Sequence, residues 1–408
     1  MDTDTARKAR NSQIKARYPQ PTLSHSSFLV QLYPMPIRIL HTADNHIGLS
    51  FGSYPDGVRE RLVNERFDAL QRMVHEANQR QAHFFVVSGD LFDKVTVPVA
   101  DITRTVDILK GFEGEAVLVL AGNHDFCEDA DSTLWKRFRK AADGTNIIPL
   151  TEPGTRSFTL DEGNVRFYAC PCPSKHGEEH MIGWVAAEPK DEGILHIGLA
   201  HGNVERLGLD ADHRYFNMGE ADLRAAGVHT WLLGHIHVPA PDPGTSGLPL
   251  YFMPGIHTPD SVKVTHPGHA WWIELDAGGA SRMEQLTTGA IAFTRITREL
   301  KDADDITALD RQCNALDGPN TVLDIQLSGR LKTGEFDQLR DLLKDLGKRF
   351  LHLSHDLDIA EVLAPEAIAK LYPEGTLPHA WLSELLQDAA HPGDAQLALD
   401  LIQTLEQA

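Results

Sequence analysis

Five short clusters in this chain offer side chains able to hold a metal or move a proton: Asp44-x-His46, Asp90-x-x-Asp93, Asn123-His124-Asp125, a lone His201 and His235-x-His237. Carboxylate, imidazole and amide-oxygen donors without thiolate suit divalent ions such as Mn²⁺, Fe or Zn²⁺. Residues two apart at a strand end point to one side, so Asp44 with His46, and His235 with His237, can face a common ion. There are too many donors for one ion whose site must also admit water and substrate. Two metals sharing a carboxylate fit better, and Asp90, on a central strand, is placed for that bridge. Each cluster taken alone has a plainer reading. An isolated D-x-H or G-H-x-H is more often a cap or surface motif. Asn123-His124-Asp125 alone is an Asx-turn before a helix, and Asp93 alone a helix N-cap. Their common setting carries the argument, because each one ends an apolar, strand-like run.

Those runs are Ile37–Thr42, Phe84–Ser88, Ala116–Ala121, Ile194–Ala200 and Trp231–Leu233. Between the first two, Leu62, Phe67, Leu70, Val74 and Ala77 recur at helical spacing and predict an amphipathic helix over 58–80. A second helix is expected over 98–111. The order β-α-β-α-β is that of a parallel sheet, whose ligands bind beyond the carboxyl ends of the strands. A helix near 131–142 and short strands at 147–148, 156–160, 165–169, 251–253 and 270–275 extend this part. Composition shifts at Asp276-Ala-Gly-Gly-Ala280. Beyond it, strands at 291–296, 321–327 and 350–357 alternate with helices near 303–315 and 334–347. The tail from 359 is helical by pattern, with Leu382, Leu385, Leu386, Leu397, Leu401 and Leu405. The expected division is a disordered leader at 1–34, a sheet domain at 35–278, a smaller α+β domain at 279–358 and a helical tail at 359–408.

At 408 residues the chain exceeds one ordinary core. No apolar run approaches the roughly 20 residues of a membrane span. The first 34 residues lack the apolar segment of a secretory signal, and a second candidate start lies at Met35. Cys127, Cys170, Cys172 and Cys313 form no C-x-x-C pair and no zinc spacing, which fits reduced thiols in a cytoplasm. A net charge of −20 argues against a free-standing nucleic-acid binder, since phosphate contacts need Lys and Arg. Residues 301–408 hold nine Lys and Arg against twenty Asp and Glu, the balance of a protein-docking module or a solvated surface.

In this order, D-x-H, G-D-x-x-D, G-N-H-D, a lone H and G-H-x-H resemble the calcineurin-like metallophosphoesterase superfamily. His41-Thr-Ala-Asp-Asn-His46, Ser88-Gly-Asp-Leu-Phe-Asp93, Ala200-His-Gly-Asn203 and Leu232-Leu-Gly-His-Ile-His237 narrow the resemblance to SbcD-type DNA-repair exonucleases, bacterial counterparts of the meiotic-recombination nuclease. It covers about 37–275 and is weaker beyond 280. It implies an α/β fold: a metallophosphoesterase β-sandwich flanked by helices, with an α+β capping domain and a helical C-terminal tail. Carried over by position, Asp44, His46, Asp90 and His237 hold one metal, and Asp90, Asn123, His201 and His235 the other. Mn²⁺ is the first expectation, ahead of Fe or Zn²⁺. His124 then faces the phosphate as proton donor or charge stabiliser, Asp93 orients His124 and raises its pKa, and Asp125 is structural.

The activity so implied is a 3′→5′ DNA exonuclease, with endonuclease action as a further expectation. A phosphatase or small-molecule phosphodiesterase could share the metal core. A non-enzymatic scaffold is the third reading, and the intact donor set speaks against it. G-x-x-x-x-G-K-[ST] does not occur here, so the SMC-like ABC-type ATPase that such nucleases pair with must be a separate protein, docking at the Leu-rich 382–405 stretch. The resemblance also implies a homodimer, for which the residues give no independent signal. Three features stay outside this scheme. His176 and His180 are expected in a solvated loop, Cys127 as a small apolar packer, and His257, His266 and His269 on the surface rather than along the substrate path.

Overall fold

Strands β1 (Ile37–Thr42), β2 (Phe84–Ser88) and β3 (Ala116–Leu120) are almost wholly buried, which requires near-continuous apolar sequence rather than alternation. They pair in parallel, and β4 (Ile147–Leu150) joins β3. On the other side β10 (His269–Asp276) runs antiparallel to β1, and β11 (Gly279–Thr287) antiparallel to β10. A five-stranded sheet follows the order β5 (Gly154–Leu160), β6 (Gly163–Cys170), β7 (Ile194–His201), β8 (Thr230–Gly234) and β9 (Tyr251–Phe252). The computed structural model describes residues 36–406, apart from 131, 206–213, 243, 277–278, 362, 389–390 and 392. The expected leader at 1–34 lies outside the described residues.

The two sheets form a sandwich. Ile39, Phe84, Val86 and Leu118 of one meet Phe167, Ile197, Leu199 and Leu232 of the other in a single buried cluster. Each such side chain stabilises the fold by about 1.5–3 kcal/mol relative to exposure. The alternate residues Leu40, Phe85, Val87 and Val117 face outward, beneath helices α1 (Asp56–Gln79), α2 (Val99–Leu109) and α3 (Thr133–Ala142). Tyr168, Trp231 and Leu233 cover the far side with Leu223 of the short α4 (Glu220–Ala225). Helices on both outer faces and two sheets between them are the layering the sequence implied.

Beyond β11, β12 (Ala292–Leu300), α5 (Ala303–Asn314), β13 (Thr321–Leu331), α6 (Thr333–Arg349) and β14 (His352–Glu361) form a parallel three-stranded sheet in sequence order. The Asp302 carboxylate starts α5 by accepting from the amides of Asp304 and Asp305. Helices α7 (Pro365–Leu371), α8 (Leu377–Gln387) and α9 (Asp394–Glu406) share a separate cluster around Ile368, Leu382 and Leu399. The composition shift at 276–280 does not end the first sheet. It falls between paired strands, Asp276 standing opposite Gly279, so that sheet runs on to Thr287 and the three-stranded one starts at Ala292. The small sheet leans on the sandwich through Phe293 and Val322, packed with Phe51, Leu62 and Ile291.

Candidate metal centre

β1, β2 and β3 are neighbours in one sheet and β7 and β8 in the other, so five strand ends open at one edge of the sandwich. The chain there is bent out of ordinary strand geometry. Asp44 (φ 52°), His46 (φ 44°), Asp90 (φ 53°) and His235 (φ 102°) all lie in the left-handed half of backbone space, at about 1–3 kcal/mol each. Tertiary bonds hold the bends. The amides of Asp44, His46 and Ile47 donate to the carbonyls of Gly89, Asp90 and Leu91 at 3.1, 3.0 and 2.9 Å. Gly122 leaves room for Asp90, since a Cβ at that position would strike the Asp90 carboxylate. Asp125 is structural, as expected: its buried carboxylate accepts from the Gly122 amide at 2.7 Å and the Phe92 amide at 3.0 Å.

All nine candidates come together. His46 Nε2 lies 3.4 Å from His237 Nε2 and 3.9 Å from Asp90 Oδ2, and His237 Nε2 is 3.8 Å from Asp44 Oδ1. On the other side His201 Nε2 is 3.2 Å from Asp90 Oδ2. The Asn123 side chain turns its NH₂ to the Lys175 carbonyl at 3.4 Å, which leaves Oδ1 3.0 Å from both His201 Nε2 and His235 Nδ1. Three triples, Asp44–His46–His237, His46–Asp90–His124 and Asp44–Asp90–His201, have donor atoms within 4.8 Å of one another, so Asp90 belongs to two of them. Asp44, His46, Asp90, Asn123 and His201 are buried, whereas His124, His235, His237 and Asp93 are only half-buried, which makes the second group the open side.

The electrostatics of these groups suit a dimetal site. Burial pushes the Asp44 carboxyl up to about 8, and the neighbouring Asp90 charge adds to it. Burial also opposes charge on Asp90 and His201, yet their contact wins, holding Asp90 below the usual carboxylate range and lifting His201 to about 9. Burial takes His235 down to about 3. A buried carboxylate that resists ionisation, beside an ionised one and converging imidazole nitrogens, belongs to a donor set whose charge balance a divalent cation would complete. His201 Nδ1 donates to the Ser88 carbonyl at 2.8 Å, the kind of bond that fixes an imidazole so that its other nitrogen could face a metal.

Two expectations change in detail. Asp93 meets His124 through its backbone carbonyl, 2.9 Å from Nδ1, while its carboxylate Oδ1 lies 3.7 Å from His46 Nδ1. The contact of Asp93 with His124 therefore runs through the chain path, while its carboxylate lies beside His46. His257 and His269 are buried rather than on the surface; His257 Nε2 donates to the Arg66 carbonyl at 3.1 Å, and His266 donates to the His237 carbonyl at 2.7 Å. Cys127 packs buried, as expected, and the four cysteines are free. Sequence reasoning missed Tyr215, whose ring lies 4.9 Å from that of His235, and Arg66, whose Nη1 donates to the Asn45 carbonyl at 2.7 Å. Arg66 did leave a signal, a cation on the apolar stripe of a predicted helix.

Residues 37–239 match the family described as calcineurin-like phosphoesterase. The DNA double-strand break repair protein Mre11 of Aeropyrum pernix is 26% identical over 286 residues, which are 66% of this chain and 65% of that protein. The uncharacterized metallophosphoesterase YhaO of Bacillus subtilis is 25% identical over 211 residues, 49% of this chain and 48% of its own. The DNA double-strand break repair protein Mre11 of Methanosarcina acetivorans is 33% identical over 101 residues, 24% of this chain and 15% of its own. The chain thus spans less than two thirds of the length of each of these curated relatives.

Proposed function

Because residues 37–239 form a calcineurin-like phosphoesterase domain, we propose that the chain hydrolyses phosphodiester bonds in DNA as a 3′→5′ exonuclease of DNA repair, with endonuclease action in addition. The observation that carries this reading is Asp90, one buried carboxylate common to two metal-capable triples at the edge of the sandwich. Asp44, His46, Asp90 and His237 hold one ion, Mn²⁺ ahead of Fe or Zn²⁺, and Asp90, Asn123, His201 and His235 hold the other. Such a pair, when bound, acidifies water and neutralises phosphate oxygens. His124, half-buried, lies beside His46, their ring centres 4.7 Å apart. With Nδ1 taken by the Asp93 carbonyl, its Nε2 is the nitrogen left to give a proton to the departing oxygen.

The three-stranded sheet with α5 and α6 acts as a cap that orients duplex DNA. A separate ABC-type ATPase docks on α7–α9 and supplies the basic surface that a chain of net charge −20 lacks. Leu377, Leu397, Leu401 and Leu405, 53–81% exposed, give that partner an apolar contact. The repair proteins among the relatives support the DNA reading. The acidity of the chain favours a second reading, a phosphatase or phosphodiesterase of small molecules. The deciding experiment gives the pure chain, with Mn²⁺, end-labelled single- and double-stranded DNA beside bis(p-nitrophenyl) phosphate. Mn²⁺-dependent shortening from 3′ ends, stopped by EDTA, is the expected result. Cleavage of the small diester alone would replace the proposal with the second reading, and cleavage of neither would leave a scaffold.

A further inference from the structure

Leu62, Arg66, Ala69 and Met73 are all buried on one face of α1, so a guanidinium occupies a place where an apolar side chain would pack. Arg66 is 1% exposed. Its Nη1 donates to the Asn45 carbonyl, while Nε and Nη2 have no hydrogen-bond partner among the described residues. The Asp260 carboxylate is 3.9 Å from Nη2, and the guanidinium sits 5.4 Å from the centre of the Phe51 ring. A buried cation so sparsely paired is costly, and an apolar residue of the same volume would avoid that cost. What the guanidinium does reach is the one carbonyl between Asp44 and His46, both left-handed. The amides of those two residues are already fixed on Gly89 and Asp90. The Asn45 carbonyl, the one between them, is held by Arg66.

We propose that Arg66 is a positioning residue of the metal centre: its planar fork, anchored on Asn45 and braced by Phe51 and Asp260, fixes the Asp44–His46 turn and the two donors it presents. This rests on the dinuclear reading of the site. Partners of metal ligands typically change metal affinity by about ten- to a hundredfold when replaced. The test titrates Mn²⁺ into the full chain by calorimetry and records the electron paramagnetic resonance of the bound ion at saturation. Arg66→Met keeps the volume and loses charge and hydrogen bond; Arg66→Lys keeps the charge and loses the fork. Arg66→Met is expected to weaken Mn²⁺ binding by about ten- to a hundredfold and Arg66→Lys by less. Both should change the resonance line shape with wild-type circular dichroism, a signature that a role in fold stability alone would not move. If Arg66→Met does not fold, Arg66→Lys decides. Wild-type affinity and line shape in either folded variant overturn the proposal. A wild-type chain that binds no Mn²⁺ removes the dinuclear reading and the role of Arg66 with it, whereas a wild-type pair beside unaffected variants removes only the latter.

Discussion

His124 is tied at two points: its amide donates to Asp90 Oδ1 at 2.8 Å, and its ring to the Asp93 carbonyl. Its loss therefore separates chemistry from binding. His124→Ala is expected to keep Mn²⁺ binding in calorimetry while DNA cleavage on gels falls by about 10²–10⁴-fold. Undiminished cleavage would remove its role. Asp93→Asn retains the carbonyl and should cost far less activity than His124→Ala; an equal loss would show that the carboxylate matters after all. At this scale the sequence was legible wherever function resides in a side-chain type. Asp44, His46, Asp90, Asn123, His201, His235 and His237 could be picked out because their donor atoms are written in the residue names. The Asp93 carbonyl could not, since every residue has one and only the path of the chain gives it a task. The Asn45 carbonyl was hidden for the same reason.

At the level of elements, the strand ends were legible because a strand buried on both faces is largely apolar until it leaves the sheet. β11 was not, because Gly279 and Ala280 beside Gly278 resemble a linker, and sheet membership depends on β10, a partner chosen in three dimensions. The close approach of β3 to β2 depends on Gly122. A methyl group there meets both the Asp90 carboxylate and the Asp90 amide. Gly122→Ala is expected to destabilise the chain by about 1–3 kcal/mol in urea unfolding and to weaken Mn²⁺ binding in the same preparation. Unchanged affinity would mean that Asp90 can shift without harm to the centre.

Across the molecule, Asp44, Asp90 and Asp125 bring three buried carboxylates into one pocket of a chain that is already strongly acidic. Ions bound by the folded form alone stabilise it through mass action, by about 2.7 kcal/mol at a hundredfold excess over the dissociation constant. Melting temperature should therefore rise by a few degrees as Mn²⁺ is added to EDTA-treated protein, and fall back when chelator is restored. A melting curve indifferent to Mn²⁺ would contradict the assignment of Asp44 and Asp90 as ligands. Among the described residues, α7–α9 contribute to none of the three donor triples, so the response should come from the sandwich.

The left-handed backbone at four of the donors narrows which residues those positions accept. Among residues with a Cβ, Asp, Asn and His are the ones that enter that region most readily. Glutamate in place of Asp44 or Asp90, or cysteine in place of His46 or His235, would keep a metal-binding group and still lose the turn that aims it. Residue type is over-determined there, once by the proposed coordination and once by conformation, so substitutions conservative in chemistry are radical in geometry.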